Sequence, residues 1–188
     1  MTRREAIRTV SLIMGGTIIG ADLFIGCQSK DDTLSDVNSQ GELDFLNEIA
    51  ETILPTTSTP GGKAANVGAF MIMMLKDCYS AEDQEIFHKG IDEIEKKSKR
   101  NFDKPFMTLQ PEQKHKLLVS LDKEQKTYSE KQKPQDPNHY FRLMKELTLL
   151  GYFTSEAGST KALRYVAVPG KFIGTIPYKK GDKAWAIG

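Results

Sequence analysis

The residues that could do chemistry are few, and most of them lie at the start of the chain. Arg3 and Arg4 open it and Arg8 follows. The first of only two cysteines, Cys27, stands after Gly26 at the end of the apolar run Val10–Ile25. A positive start, an apolar middle and a small residue before a cut are the layout of an export leader. The Gly26-Cys27 pair resembles a lipobox, in which cleavage before the Cys frees it for lipid on its sulfur and amino group. The Thr2–Arg8 stretch, TRREAIR, resembles a twin-arginine leader, which exports folded proteins. It departs from the usual pattern at Ala6, where Phe is commonest. Phe24 and Asp22 also depart from the usual lipobox and apolar core. The apolar run falls short of the roughly 20 residues of a spanning helix. These residues predict an exported lipoprotein, anchored at the membrane by lipid on Cys27, on the periplasmic side. Lys30-Asp31-Asp32 resembles a signal that sends some lipoproteins to the cell surface. A solvated charged tether explains the same residues.

Elsewhere the sequence offers little for a reaction. His88, His115 and His139 lie far apart, each without a second ligand type at metal spacing. There is no CxxCH for covalent haem and no GxGxxG for a nucleotide. No nucleophile stands in a recognisable order with a His and an Asp. Glu48 and Glu51 read as ordinary helix surface. Glu156 closes the most apolar segment and is the carboxylate with the best claim to a special role. Cys78 falls at an apolar position of a helical stripe and reads as a buried core thiol. With Cys27 lipidated it has no intramolecular disulfide partner.

Length and charge bound the rest. The chain has 188 residues, with 26 Lys and Arg against 25 Asp and Glu. The leader, residues 1–26, holds three of the basic and two of the acidic residues, which leaves the mature chain balanced. Nothing in that balance favours nucleic acid. Three parts are expected: a leader over 1–26, a polar tether over 27–41 and one folded domain over 42–188.

The domain reads as all-α, an irregular bundle of about five to six helices with an extended, Pro/Gly-rich C-terminal arm. Leu43, Leu46, Ile49, Ala50 and Ile53 put one apolar face on a first helix that Pro55 stops. A Pro60-Gly61 turn follows. Ala64–Tyr79 predicts a second helix whose Met cluster reads as core filler, with a Met-rich surface for an adaptable partner as the alternative. Ser80 caps a third and Pro111 starts a fourth. Asp122–Lys133 is charged enough to project into solvent. Asn138–Glu156 is apolar nearly all round and reads as the central helix, buried or covered by a partner. A short helical piece is expected over 160–165. Beyond it, the Pro and Gly spacing of VAVPGKFIGTIPYKKGDKAWAIG forbids a long helix, and its aromatics need cover from the helices or from another protein.

Several pieces resemble the gluconate 2-dehydrogenase subunit 3 family. They are Ile53-Leu54-Pro55, Thr59-Pro60-Gly61 with Val67, the run LTLLGYFTSE from Leu147 to Glu156, Val168-Pro169-Gly170, and Lys-Ala-Trp near the end. Their order and spacing carry the likeness over about residues 42–188. Ser58 stands where Asp is frequent, and Gly174-Thr175 where a late Cys is frequent, which leaves a disulfide to a partner open. The resemblance implies a small non-catalytic subunit of a membrane-bound, FAD-dependent sugar or sugar-acid dehydrogenase. Its large subunit would be a flavoprotein of the glucose–methanol–choline type, with a multi-haem cytochrome c commonly taking the electrons. The small subunit would support folding and export of the flavoprotein. FAD and haem c then belong to the partners, and no cofactor to this chain. Pro60, Gly61, Tyr152, Glu156, Pro169, Phe172 and Trp185 are the candidate partner contacts. A lipid-anchored structural or binding protein that reuses the fold without a flavoprotein is the competing expectation.

Overall fold

The computed structural model describes residues 39–168, 170–171 and 173–186. The readings at Arg3, Arg4, Cys27, Pro169 and Phe172 fall outside the described residues. The chain divides into two units, Met1–Gln40 and Gly41–Gly188, and the second holds the bundle.

The first helix, α1, spans Ser39–Ile53 and so begins inside the expected tether. Its core residues are Phe45, Leu46, Ile49 and Ala50, so the buried stripe includes Phe45, and Leu43 is only half-buried. Pro55 follows two residues after the last helical one and denies the ladder a donor. The second helix, α2, spans Val67–Cys78, starting later than Ala64 because Asn66 takes a left-handed backbone with φ 51°. Its N-terminus is capped from a distance: Gly68 N–H donates to the buried Asn47 Oδ1 on α1 at 2.9 Å. A Cβ on Gly68 would lie 2.8 Å from Leu43 O, so only glycine permits this approach of the two helices.

The third helix, α3, spans Ala81–Phe102, and its first turn is closed by Asp83 N–H donating to Ser80 Oγ. It ends at Asp103, whose left-handed backbone turns its N–H back to Lys99 O. A 3₁₀ turn, Phe106–Thr108, drops Phe106 into the core against Phe45, ring centroids 5.1 Å apart. The fourth helix, α4, spans Pro111–Lys131 with Pro at its start, where a missing N–H costs nothing. The charged stretch expected to project forms its second half, and most of it is exposed as expected, with exceptions. Gln125 is buried, and Asp122 pairs with Lys145 at 2.5 Å and Lys126 at 2.9 Å. Burial works against the ionised Asp122, but the two ammonium groups outweigh it and hold its carboxyl at about 2.

The fifth helix, α5, spans Tyr140–Thr154 and packs against α2, α3 and α4, which makes it the centre of the bundle. Phe141, Leu143, Met144, Leu147 and Tyr152 line its inner side. The ring of Tyr140 lies over Gly90 of α3, where a Cβ would stand 2.5 Å from the ring. A π-turn, Gly158–Ala162, replaces the short helix expected over 160–165. The described residues hold helices and one isolated bridge, Arg164 to Trp185. The all-α bundle is therefore as expected.

Cys78 is exposed, against the expectation of a core thiol. The buried stripe of α2 runs Val67, Gly68, Met71, Leu75, and the half-buried Tyr79 takes its next place. Met73 is likewise exposed.

Candidate interaction surface

The loop between α1 and α2 is held by groups that the sequence treats as unrelated. The Glu51 carboxylate accepts Thr56 N–H at 2.8 Å and Lys63 N–H at 2.9 Å. Gly61 N–H donates to Thr56 Oγ1, and Gly62 N–H to Leu54 O. From α5, Tyr152 Oη donates to Pro60 O at 2.6 Å. Both glycines sit where a side chain cannot. A Cβ on Gly61 would lie 2.3 Å from Glu51 Oε2, and one on Gly62 would lie 2.6 Å from the Ala50 carbonyl.

Burial disfavours the charge on Glu51, but the Thr56 and Lys63 donors prevail and its pKa sits below the ordinary 4.5. Glu48, one turn earlier, reaches Lys114 at 2.7 Å and Lys63 at 3.4 Å. Its pKa is also lowered: burial opposes the shift, and the Lys114 ammonium is the strongest of the groups that overcome it. The pair read as ordinary surface is thus a two-carboxylate anchor that ties the loop to α1 and α1 to α4.

Pro60, Gly61 and Tyr152 are therefore brought together. Gly61 and Tyr152 are buried, so they shape the loop, while residues 55–58 form its exposed edge. Beyond Tyr152 the outer side of α5 carries an apolar ridge, Leu149, Leu150 and Phe153, each about two-fifths exposed (38%, 47% and 41%). Spacings of three and four residues put them on one face. Beside the ridge, α4 and α5 border a groove of charged side chains, among them Lys126, Glu130, Arg142, Lys145 and Glu146. Glu156 is exposed and lies just past the ridge. Its backbone carbonyl takes the Thr160 hydroxyl at 2.6 Å, and no pair with another charged side chain involves its carboxylate among the described residues.

Trp185 stands apart from this group. Its ring lies under the Arg164 guanidinium, 4.8 Å from Cζ to the ring centroid. Arg164 N–H donates to Ala184 O at 2.8 Å, and Ala186 N–H donates to Arg164 O at 2.9 Å. Two backbone bonds and a cation–π contact thus clasp the two ends of the arm. Sequence reasoning missed this clasp, the Glu51 anchor and the Asn47 cap, since each joins residues by contact across space.

Among the described residues no group of three His, Cys, Asp or Glu side chains gathers as metal ligands. No described helix is long and apolar enough to cross a membrane. His139 caps α5, its Nδ1 accepting Phe141 N–H at 3.2 Å, and His88 pairs with Glu42 at 3.2 Å. What this surface leaves open is apolar area on α5, the Leu149, Leu150 and Phe153 ridge.

Comparison with curated proteins and with solved structures gives no match for either. The family described as gluconate 2-dehydrogenase subunit 3 matches residues 40–170, which takes in the helices above except the first residue of α1, the Pro60-Gly61 loop and the α5 ridge. A match over that much of the chain settles the kinship, and the protein belongs to the gluconate 2-dehydrogenase subunit 3 family.

Proposed function

We propose that this protein is the small, non-catalytic subunit of a membrane-bound, FAD-dependent sugar or sugar-acid dehydrogenase. Its task is to support folding and export of a flavoprotein subunit of the glucose–methanol–choline type. The observation that carries the reading is the family match, since the family is named for a subunit of a dehydrogenase. The surface supports it: the Leu149–Leu150–Phe153 ridge is apolar area of the kind that subunit interfaces cover.

The leader completes the proposal. FAD is made in the cytoplasm, so the flavoprotein binds it there and crosses folded. A flavoprotein without a leader of its own travels bound to this subunit and uses Arg3-Arg4. Lipid on Cys27 then holds the pair at the membrane on the periplasmic side, where a multi-haem cytochrome c takes the electrons. FAD and haem c sit in the partners.

The test is purification of the full chain from native membranes in mild detergent, with absorbance and partner masses recorded. A yellow flavoprotein should co-purify in fixed ratio. A complex without flavin, or a chain that comes away alone, refutes the subunit reading. In the same membranes Cys27→Ala should release the pair into the soluble fraction, and Arg3→Lys with Arg4→Lys should leave both proteins inside.

A further inference from the structure

The arm beyond the π-turn has a chemistry of its own. Between the clasped residues Arg164 and Trp185, the described residues of 165–183 are all exposed. Val168 is 81% exposed and Tyr178 78%, well above Met73 at 51%, the most exposed large apolar side chain among the described residues of the bundle, and Ile173 is 56% exposed. Lys171, Lys179, Lys180 and Lys183 stand among them against one carboxylate, Asp182. Among the described residues, the backbone of 165–183 makes one local turn only. In it Asp182 N–H donates to Lys179 O, and Lys179 N–H donates to Asp182 Oδ2 at 2.9 Å.

A loop of this length with so many open donors, acceptors and apolar side chains gains nothing by standing in water. The clasp nonetheless fixes where its two ends meet the body. Its two ends pair in parallel, so the chain makes a full circuit rather than a hairpin. The Arg164–Trp185 stack and the bond from Lys183 Nζ to Lys161 O tie that circuit to the end of the bundle. Closing the loop in advance removes part of the ordering cost of binding.

The occupant can be narrowed. A lipid surface would take the lysines and the apolar side chains, but burying those side chains in hydrocarbon would strand the unpaired backbone groups beside them. Pro177 and the glycines at 170, 174 and 181 also prevent the amphipathic helix that would satisfy them internally. A protein groove supplies such partners as a strand edge or a row of polar side chains, with pockets for alternate residues.

We propose that residues 165–183 are a clasped docking loop that seats in an acid-rimmed apolar groove of the flavoprotein subunit, pairing with it through its backbone. Arg164 and Trp185 act as positioning residues at its base. The inference rests on the accessory-subunit reading above and adds to it the segment and the chemistry of the surface it meets.

The experiment uses the full-length chain co-expressed with its flavoprotein and carrying a photo-crosslinking amino acid at Tyr178. It is run beside Lys179→Glu with Lys180→Glu, and beside Trp185→Ala. The loop should crosslink to the flavoprotein. The double charge reversal should weaken association about tenfold at low salt, and the deficit should shrink as salt is raised. Trp185→Ala should weaken association while the thermal unfolding of the bundle stays unchanged. If the flavoprotein co-purifies but Tyr178 does not crosslink to it and the charge reversal leaves affinity unmoved, the docking loop is wrong and the subunit reading stands. Crosslinks into a second copy of this chain also overturn it. So does loop-dependent binding to phosphatidylcholine–phosphatidylglycerol vesicles with no crosslink to the flavoprotein. If no flavoprotein co-purifies with any form of the chain, both readings fall together.

Discussion

Replacing Glu51 by Gln asks whether one carboxylate holds the α1–α2 loop. The side chain keeps its length, but one of its two oxygens becomes an NH₂ group. In the native loop both oxygens accept backbone donors, Thr56 N–H at 2.8 Å and Lys63 N–H at 2.9 Å. Glutamine can satisfy one of them and must turn a donor toward the other. Hydrogen bonds to a charged acceptor are worth about 1.5–3 kcal/mol, and the partial exposure of the site argues for the lower end, about 1.5–2 kcal/mol. For a chain of this size that lowers the melting temperature by about 3–8 °C. Circular dichroism of the full chain in mild detergent, at neutral pH, reads the shift directly. The pH dependence gives an internal check. A carboxylate whose folded pKa lies below its unfolded value stabilises above the ordinary 4.5 and loses that contribution as pH falls through the folded value. The gap between the wild type and Glu51→Gln should therefore close below that range. Limited proteolysis should meanwhile cut the variant within 55–60. Equal melting temperatures at neutral pH and an uncut loop would refute the anchor.

Two histidines should titrate stability in opposite senses. Glu42 accepts from His88 and raises its pKa, so its contribution is present below the ordinary 6.5 and fades as pH rises through the higher folded value. Burial lowers the pKa of His139, which caps α5 as a neutral ring, so its contribution is present above 6.5 and fades as pH falls. His88→Gln should thus cost more at mildly acid pH than at mildly alkaline pH. His139→Asn, which keeps a capping oxygen, should flatten the acid loss of the wild type, each by roughly 1–2 °C in melting scans. Gly158→Ala should be severe. Its Cβ would lie 1.9 Å from Tyr152 O and 2.8 Å from Tyr152 C, a clash with backbone that costs about 3 kcal/mol or more. Denaturant melts of the soluble fraction would show it, and a wild-type midpoint would contradict the packing described at the end of α5.

Local signals were readable and distant ones were not. Ser80 and Pro111 announced their helix starts because a cap and a first-turn proline act within a few residues. The centrality of α5 was readable from its composition, since a helix with little polar face has to be covered on most sides. Its remaining ridge, Leu149, Leu150 and Phe153, could not be told from core by period alone. Cys78 was misplaced because the stripe that fixes Met71 and Leu75 hands over to Tyr79 in the last turn. Asp122 looked like solvent-facing charge because Lys145, its partner, belongs to another helix, and Gln125 was read with the charged run around it although it is buried. Glu51 was passed over for a related reason. Its partners are backbone groups, and backbone groups leave no trace in residue type. Of the candidate contacts, Pro60, Gly61 and Tyr152 came together through the 2.6 Å bond between residues 92 apart, which no spacing rule would join.

The clasp at Arg164 and Trp185 also bears on how such a protein can change over generations. Both ends of 165–183 leave the body at one point, held by bonds to Ala184 and Ala186. Residues can be added to, removed from or exchanged within the circuit without redirecting the chain anywhere else, because loop length costs little once the ends are fixed. The segment is thus a cassette. Its sequence can drift to follow a changing surface opposite, while Gly68, Gly90 and Gly158 keep the helical body under strict steric selection. Relatives that share the bundle are then expected to differ most between Gly170, where the family match ends, and the lock at Trp185.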